Sequence, residues 1–304
     1  MQFLWNVFNH NAIGQRSLED VMGILGHQMR ALGHHTVWEQ KNDRFVARGN
    51  GINMLIEGFT DSSISVMAEA HAQGAEFVIV ATEEPTEKGF NYGTQKEMIR
   101  RQELFHKAAK FSRGTLHLVP GEHVSRWYGQ FGPVAQAELG YAPSLMRPQM
   151  EQPKFDFGFY GSVTARRLRI LKKLARQGGT VKVMGDFKEQ AERDKQMQKA
   201  RVLIQLRKFD VLGLVSSSRC NTALSIGRPV LGEPHLLVEP WGRIVKFTDT
   251  LEEFLAQAMF YRAAWQGIYQ KQLAEFKKLT PEICIGEPLR KIGVLDTEGG
   301  RAAA

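Results

Sequence analysis

The chain carries only two cysteines, Cys220 and Cys284, in 304 residues. So few thiols exclude a disulfide-built scaffold, and two of them alone do not make a zinc site. Nowhere does the sequence sustain the roughly 18 or more apolar residues that a membrane-crossing helix requires. Its first residues lack the basic-then-apolar pattern of a secretory leader, so the expected location is cytoplasmic. Internal repeats and low-complexity tracts are missing too, and the chain is therefore not a repeat array. What is present is an ordinary globular composition, 43% hydrophobic and 24% charged, with core enough for one large or two medium domains. The charge excess is of one sign, +8, which favours anionic partners such as nucleotides, phosphosugars, nucleic acid or acidic lipid.

Strand and helix patterns alternate along the first half. Phe3–Phe8 reads as a buried strand, and Ser17 with Asp20 marks a helix start. Leu18, Val21, Met22, Leu25 and Met29 then recur at helical spacing until Gly33. Further strands are expected at 36–38, 51–58, 76–81 and 115–119, with helices at 65–73, 95–111 and 121–128. Such alternation predicts a parallel sheet covered on both faces, with function at the carboxyl ends of its strands. Trp127, Tyr128 and Phe131 recur at near-helical spacing and read as core rather than as a stacking platform.

Pro143, Pro148 and Pro153 interrupt the pattern, and this stretch reads as an interdomain linker. A second α/β series starts at Phe155. Strands are expected at 155–160, 180–184, 202–206 and 229–231, and helices after Gly161, at 192–200 and at 216–226. The segment 251–278 reads as a tail helix broken by Pro281 and Pro288. Trp241, in a loop, is expected to pack on that tail or close over a ligand. The expected division is 1–145, 154–260 and a helical tail, 261–304, packing back across the domains.

The most informative stretch is Phe157-Gly158-Phe159-Tyr160-Gly161-Ser162-Val163-Thr164-Ala165-Arg166-Arg167. An apolar run stops at a glycine, small polar residues follow, and a basic amphipathic helix begins. Unpaired N–H groups at the start of such a helix attract an anion, typically phosphate. Seven cations fall within the 17 residues 166–182. Arg193, Arg207 and Arg219 also fall near strand ends or helix starts, where a guanidinium fork suits phosphate oxygens.

Tyr160-Gly161-Ser162 with Arg166-Arg167, Glu192-Arg193-Asp194, 200–206, Ser218-Arg219 and 225–233 resemble, in that order, the C-terminal half of GT-B glycosyltransferases. The nearest resemblance is to bacterial proteins of the glycosyltransferase-like or spore-maturation type, over roughly 155–260. The resemblance implies two Rossmann-like domains with parallel sheets facing a cleft. It implies an N-terminal acceptor side and a C-terminal half that binds a nucleotide-diphosphate sugar as donor substrate, with no separate cofactor. Carried over, Gly161 and Ser162 approach the diphosphate, Arg166 or Arg167 and Arg219 neutralise it, and Glu233 lies near the sugar or ribose. Arg207 and Ser218 join the donor-binding set. Relatives often have a glutamate three residues before the arginine that matches Arg219; here that residue is Ser216, which cannot clamp a diol as a carboxylate does. No DxD pair stands in a fitting place, so no metal is expected at the donor.

For proton transfer the first half offers His10, after the first strand, and Glu83 and Glu84, after the 76–81 strand; His123 is a further candidate. The two glutamates also read as ordinary loop carboxylates before Pro85. Glycosyl transfer from a nucleotide-diphosphate sugar to a small-molecule or glycan acceptor is the leading expectation. A DNA-base-modifying glycosyltransferase of the same fold, with DNA as partner, and a non-catalytic nucleotide-sugar-binding protein are the alternatives.

Overall fold

A computed structural model of the protein describes residues 1–7, 12–39, 45–46, 48–56, 58–87, 89–91, 96–147, 152–184, 189–208, 210, 214–236 and 239–296. The chain forms two compact units, Met1–Leu139 with Thr280–Ala304, and Gly140–Leu279. Among the described residues no helix is long and apolar enough to cross a membrane.

The first unit runs β1 (Gln2–Val7), α1 (Ala12–Ala31), β2 (His35–Glu39), β3 (Ile52–Ile56), α2 (Asp61–Ala72) and β4 (Glu76–Ala81). A hairpin, β5 (Pro85–Thr86) and β6 (Gly89–Phe90), leads to α3 (Lys96–Ala109), β7 (Thr115–His117), α4 (Glu122–Tyr128) and β8 (Val134–Gln136). The main sheet is six-stranded, in the order β2-β1-β3-β4-β7-β8, and each of its pairings is parallel. Helices cover both faces of such a sheet, which is why β3 and the last five residues of β4 are continuously buried instead of alternating. The helix α1 begins at Ala12, before the Ser17 expected as its cap, and α2 begins at a capping box between Thr60 and Ser63. As the spacing predicted, Tyr128 is core, with Trp127 and Phe131 packed against it.

The second unit runs β9 (Phe155–Tyr160), α5 (Ala165–Arg176), β10 (Val181–Met184), α6 (Gln190–Met197), β11 (Ala200–Gln205) and α7 (Ser217–Ser225). It continues through β12 (Val230–Gly232), α8 (Trp241–Ile244), β13 (Lys246–Phe247) and α9 (Leu251–Phe276). Its five-stranded sheet has the order β10-β9-β11-β12-β13, again parallel throughout. The chain turns one way from β9 to β10 and then crosses to β11 on the other side. The reversal opens a crevice at the carboxyl ends of β9 and β11, where ligands of open α/β sheets bind. Gly158 lets the layers close: a Cβ there would lie 2.3 Å from Met184 Cε and 2.8 Å from Leu203 Cδ2. Trp241 is buried and packs on Phe276 of the tail helix, 5.9 Å between ring centroids.

Two sequence expectations take a different form here. The proline-spaced stretch is pinned along the second unit: Asn221 Nδ2 donates to Gly140 O at 2.7 Å, Tyr141 N to Leu279 O at 2.8 Å and Arg147 N to Ser225 O at 2.9 Å. Proline blocks regular helix and sheet, but neighbouring elements take up the free backbone groups. The tail also divides. α9 belongs to the second unit, and from Thr280 the chain belongs to the first. There Pro281 precedes a π-helical turn, Glu282–Gly286, and Pro288 falls in the first turn of α10 (Glu287–Lys291). Proline is tolerated in the first turn of a helix because the missing N–H has no helical partner there.

Candidate functional site

The carboxyl end of β9 delivers the chain to Gly161, whose φ is +137°. That backbone excludes most side chains, and the space is also taken: an ideal Cβ would lie 3.2 Å from Arg219 Nη2 and 3.3 Å from its Cζ. Thr164 then caps α5, its Oγ1 accepting from Arg167 N at 3.3 Å. Arg166 and Arg167 occupy the first turn of α5, the end at which the helix dipole disfavours cations. Each has a compensating set of acceptors.

Arg167 is 3% exposed. Its Nη2 donates to Leu206 O at 2.7 Å, its Nε to Arg207 O at 3.0 Å, and its Nη1 to Ser162 O at 2.7 Å and Ser162 Oγ at 3.2 Å. The guanidinium lies over the Phe159 ring, 5.2 Å from its centroid. It ties the Gly161 turn to the loop after β11. Burial lowers its pKa to about 10, and the nearby charges of Arg219 and Arg166 push the same way while Glu233 opposes them.

Arg166 forks onto Glu233, with Nη1 to Oε1 at 2.7 Å and Nη2 to Oε2 at 2.5 Å, while its Nε reaches Asp210 Oδ1 at 2.7 Å. The Glu233 hydrogen bonds hold this guanidinium above its ordinary pKa. Glu233 follows β12 and is fully buried. It also accepts from the Arg207 backbone N–H, and the Arg207 Nε lies 3.6 Å from its Oε2. That Nε is buried and makes no hydrogen bond. His235 Nδ1 donates to Glu233 O at 2.8 Å, and burial lowers the His235 pKa, so its imidazole is neutral at pH 7.

Arg219 stands in the first turn of α7. The N-cap of that helix is Ser216, whose side chain caps nothing; its Oγ lies 3.4 Å from Ser218 Oγ, and its carbonyl accepts from Gln205 Nε2 at 3.0 Å. Gly161, Ser162, Arg166, Arg167, Arg207, Arg219 and Glu233 therefore form one connected group at the strand ends, with Ser216 and Ser218 in the helix turn that carries Arg219. Within it Arg166 and Glu233, expected on diphosphate and on sugar or ribose, engage each other, and Arg167 is a buried strut. Among the described residues of the group Glu233 is the buried carboxylate: it pairs with Arg166 and lies beside Arg207, while Asp210 is exposed. Arg193 packs beside the group over Tyr160, at 5.2 Å, and is paired with Asp194.

In the first unit, His10 lies outside the described residues. Glu83 is ion-paired with Arg101 and accepts from Asn91 Nδ2. Glu84 Oε1 lies 3.4 Å from His123 Nε2, and its N–H donates to Asn91 Oδ1 at 2.9 Å. Both glutamates brace the β5–β6 turn through Asn91, whose φ is +55°. Sequence reading missed His117, a lone histidine in an apolar strand. Its Nδ1 donates to Val119 O and its Nε2 accepts from Ser125 Oγ, both at 2.7 Å. Burial lowers its pKa, which keeps the imidazole neutral and fixes that tautomer.

No protein-family model matches the chain, and no curated protein sequence matches it. Solved structures share its fold. The N-terminal domain of Candida albicans trehalose-6-phosphate phosphatase aligns at a TM-score of 0.52 and 7% identity, covering 96% of each chain. An α,α-trehalose-phosphate synthase (UDP-forming) from Burkholderia vietnamiensis aligns at 0.50 and 7% identity, over 93% of this chain and 80% of the synthase. The Glycosylation Associate Protein (Gap123) complex from Streptococcus agalactiae aligns at 0.50 and 10% identity, over 81% of this chain. The present chain spans about half, 54%, of that last chain's length. These similarities place the two Rossmann-like units in a GT-B-like fold.

Proposed function

We propose that the protein is a glycosyltransferase that takes its sugar from a nucleotide-diphosphate donor bound by the second unit. The observation that carries this reading is the packing of Arg219 against the side-chain-free Gly161, beside the start of α5 and close to Arg166 and Arg167. A diphosphate placed there receives the N–H groups of the Ser162–Thr164 turn, the Arg219 fork and the field of Arg167 and Arg207. In this reading the guanidinium groups supply the charge neutralisation that a metal ion supplies elsewhere. The Arg166–Glu233 pair holds the rim of the site in register, and Glu233 acts on the donor through Arg166. The trehalose-phosphate synthase likeness supports the fold on which such a donor site is built.

The testing experiment is a calorimetric titration with UDP, ADP and GDP, their sugars, and the matching nucleosides. Diphosphates bind and nucleosides do not, with or without EDTA. Arg219→Ala weakens diphosphate binding by about 1.5–3 kcal/mol, the worth of a charge-assisted hydrogen bond. Unchanged affinity in Arg219→Ala overturns the assignment.

Ser216 favours a second reading, a nucleotide-sugar-binding protein without turnover. The residue that replaces the carboxylate common in relatives makes only a weak contact to Ser218. Release of nucleoside diphosphate from any donor sugar excludes it.

A further inference from the structure

The inner face of α5 is fixed by Ile170, Leu171 and Leu174, which join Phe157 and Phe159 of β9 and Phe254 of α9 in one apolar cluster. At 3.6 residues per turn, this packing turns Leu168, Arg169, Lys172, Lys173 and Arg176 outward, and all five are exposed. The four cations stand at i, i+3, i+4 and i+7, and so share one helix face over about 10 Å of its axis.

These charges are not matched within the fold. Among the described residues none of the four makes an ion pair or a side-chain hydrogen bond, and α5 itself contains no acidic residue. Several other exposed cations are matched: Arg100 and Lys107 meet Asp61, Arg126 meets Glu122 and Lys278 meets Glu275. An unmatched cationic face is complemented by an anionic one. At the amino-terminal end of the same helix stand two exposed apolar side chains, Val163 at 49% and Leu168 at 40%. The helix has no aromatic residue on which a base could stack. Exposed valine and leucine gain little from a phosphate backbone, whereas the boundary between headgroups and acyl chains of a bilayer accepts them.

We propose that the outer face of α5 docks the protein on an anionic lipid surface, with Arg169, Lys172, Lys173 and Arg176 among the headgroups and the Val163 and Leu168 side chains at the acyl boundary. The apolar face of the helix is committed to the core, so α5 rests on the lipid as part of the folded unit and does not insert by itself. Each cation near such a surface is worth about fivefold in partition, and four give a reversible attachment that salt weakens. The docking face uses no side chain of the Gly161–Arg219 group and does not depend on what binds there.

The test is flotation of the full chain with vesicles of phosphatidylcholine alone, and of phosphatidylcholine with about 30% phosphatidylglycerol, in about 0.1 M and about 0.5 M NaCl. Partition to the anionic vesicles is expected to be at least about tenfold stronger at low salt, to fall at least about tenfold at high salt, and to persist with saturating UDP. Lys172→Glu/Lys173→Glu weakens it at least about twentyfold. Arg169 and Arg176 lie three or four residues from each new glutamate, so the helix gains pairs and the unfolding midpoint stays in place. Lys96→Glu/Lys110→Glu makes the same change of net charge at exposed residues of the first unit, and weakens partition by less than about threefold. Leu168→Gln weakens it about threefold and leaves the salt dependence as it was. Equal partition to both kinds of vesicle, unchanged partition in Lys172→Glu/Lys173→Glu, or equal loss in the two double variants overturns the proposal. So does tighter binding to a DNA duplex of about 20 base pairs that Lys172→Glu/Lys173→Glu abolishes, which would assign the face to nucleic acid.

Discussion

The guanidinium of Arg219 occupies the space that a side chain on residue 161 would need, with Nη2 3.2 Å from the ideal Cβ position of Gly161. The glycine thus serves two purposes, a left-handed backbone and a seat for a cation. Gly161→Ala separates them when it is set beside Gly178→Ala, where φ is +85° but no atom stands within 4 Å of the Cβ. Both variants are expected to lose about 1–3 kcal/mol of stability from backbone strain. Only Gly161→Ala also displaces Arg219, and only it weakens diphosphate binding in the titration.

The Arg166–Glu233 pair is forked, its carboxylate buried and its guanidinium partly so. Removal of Arg166 leaves the buried Glu233 carboxylate without its main partner, at a cost of about 3–5 kcal/mol, whereas removal of Glu233 costs less because Arg166 keeps Asp210. Urea unfolding of Arg166→Ala, Glu233→Ala and the double variant closes a cycle. The double variant is expected to be more stable than the sum of the two losses predicts, with a coupling of at least about 1 kcal/mol. Additive losses would mean that the pair is not a unit.

Ser216 holds the N-cap of α7 without a side-chain cap bond. Loss of a capping serine ordinarily costs about 1 kcal/mol. Here Ser216→Ala is expected to shift stability by less than about 0.5 kcal/mol, measured by urea unfolding.

His117 and His235 both have pKa values lowered by burial. The folded state therefore prefers the neutral rings, while the unfolded chain takes up protons as pH falls through about 6.5. Stability is full above that pH and declines below it, by at most about 1.4 kcal/mol per pH unit for each histidine. Unfolding between pH 7.5 and 5.5 is expected to show this slope. His117→Gln flattens it, although the variant is less stable at pH 7.5 through loss of the Ser125 and Val119 bonds.

The parallel α/β organisation of both units was legible because buried parallel strands are continuous apolar runs, as in residues 77–81 and 157–160. The three-residue strand Val134–Gln136 and the two-residue strand Lys246–Phe247 were not, since neither is long enough to show a period. Gly161 and the arginines around it were legible as a group through their positions at strand ends. Their partners were not. That Arg166 is satisfied by Glu233, 67 residues away, follows from the adjacency of β11 and β12, which no local pattern encodes. His117 was hidden for the opposite reason: its bonds are local, but a lone histidine in an apolar strand carries no distinguishing signal.

The return of the chain to its first unit at Thr280 has a temporal meaning. Cys284, Ile285, Leu289, Ile292 and Val294 are all buried, and together their burial is worth on the order of 10 kcal/mol, as much as a domain's whole stability. The unit that the ribosome makes first is thus finished last, after Gly140–Leu279 has been synthesised. Until then its sheet is an unsealed nascent structure, and a chain stopped after Leu279 is expected to leave residues 1–139 protease-sensitive while the second unit survives.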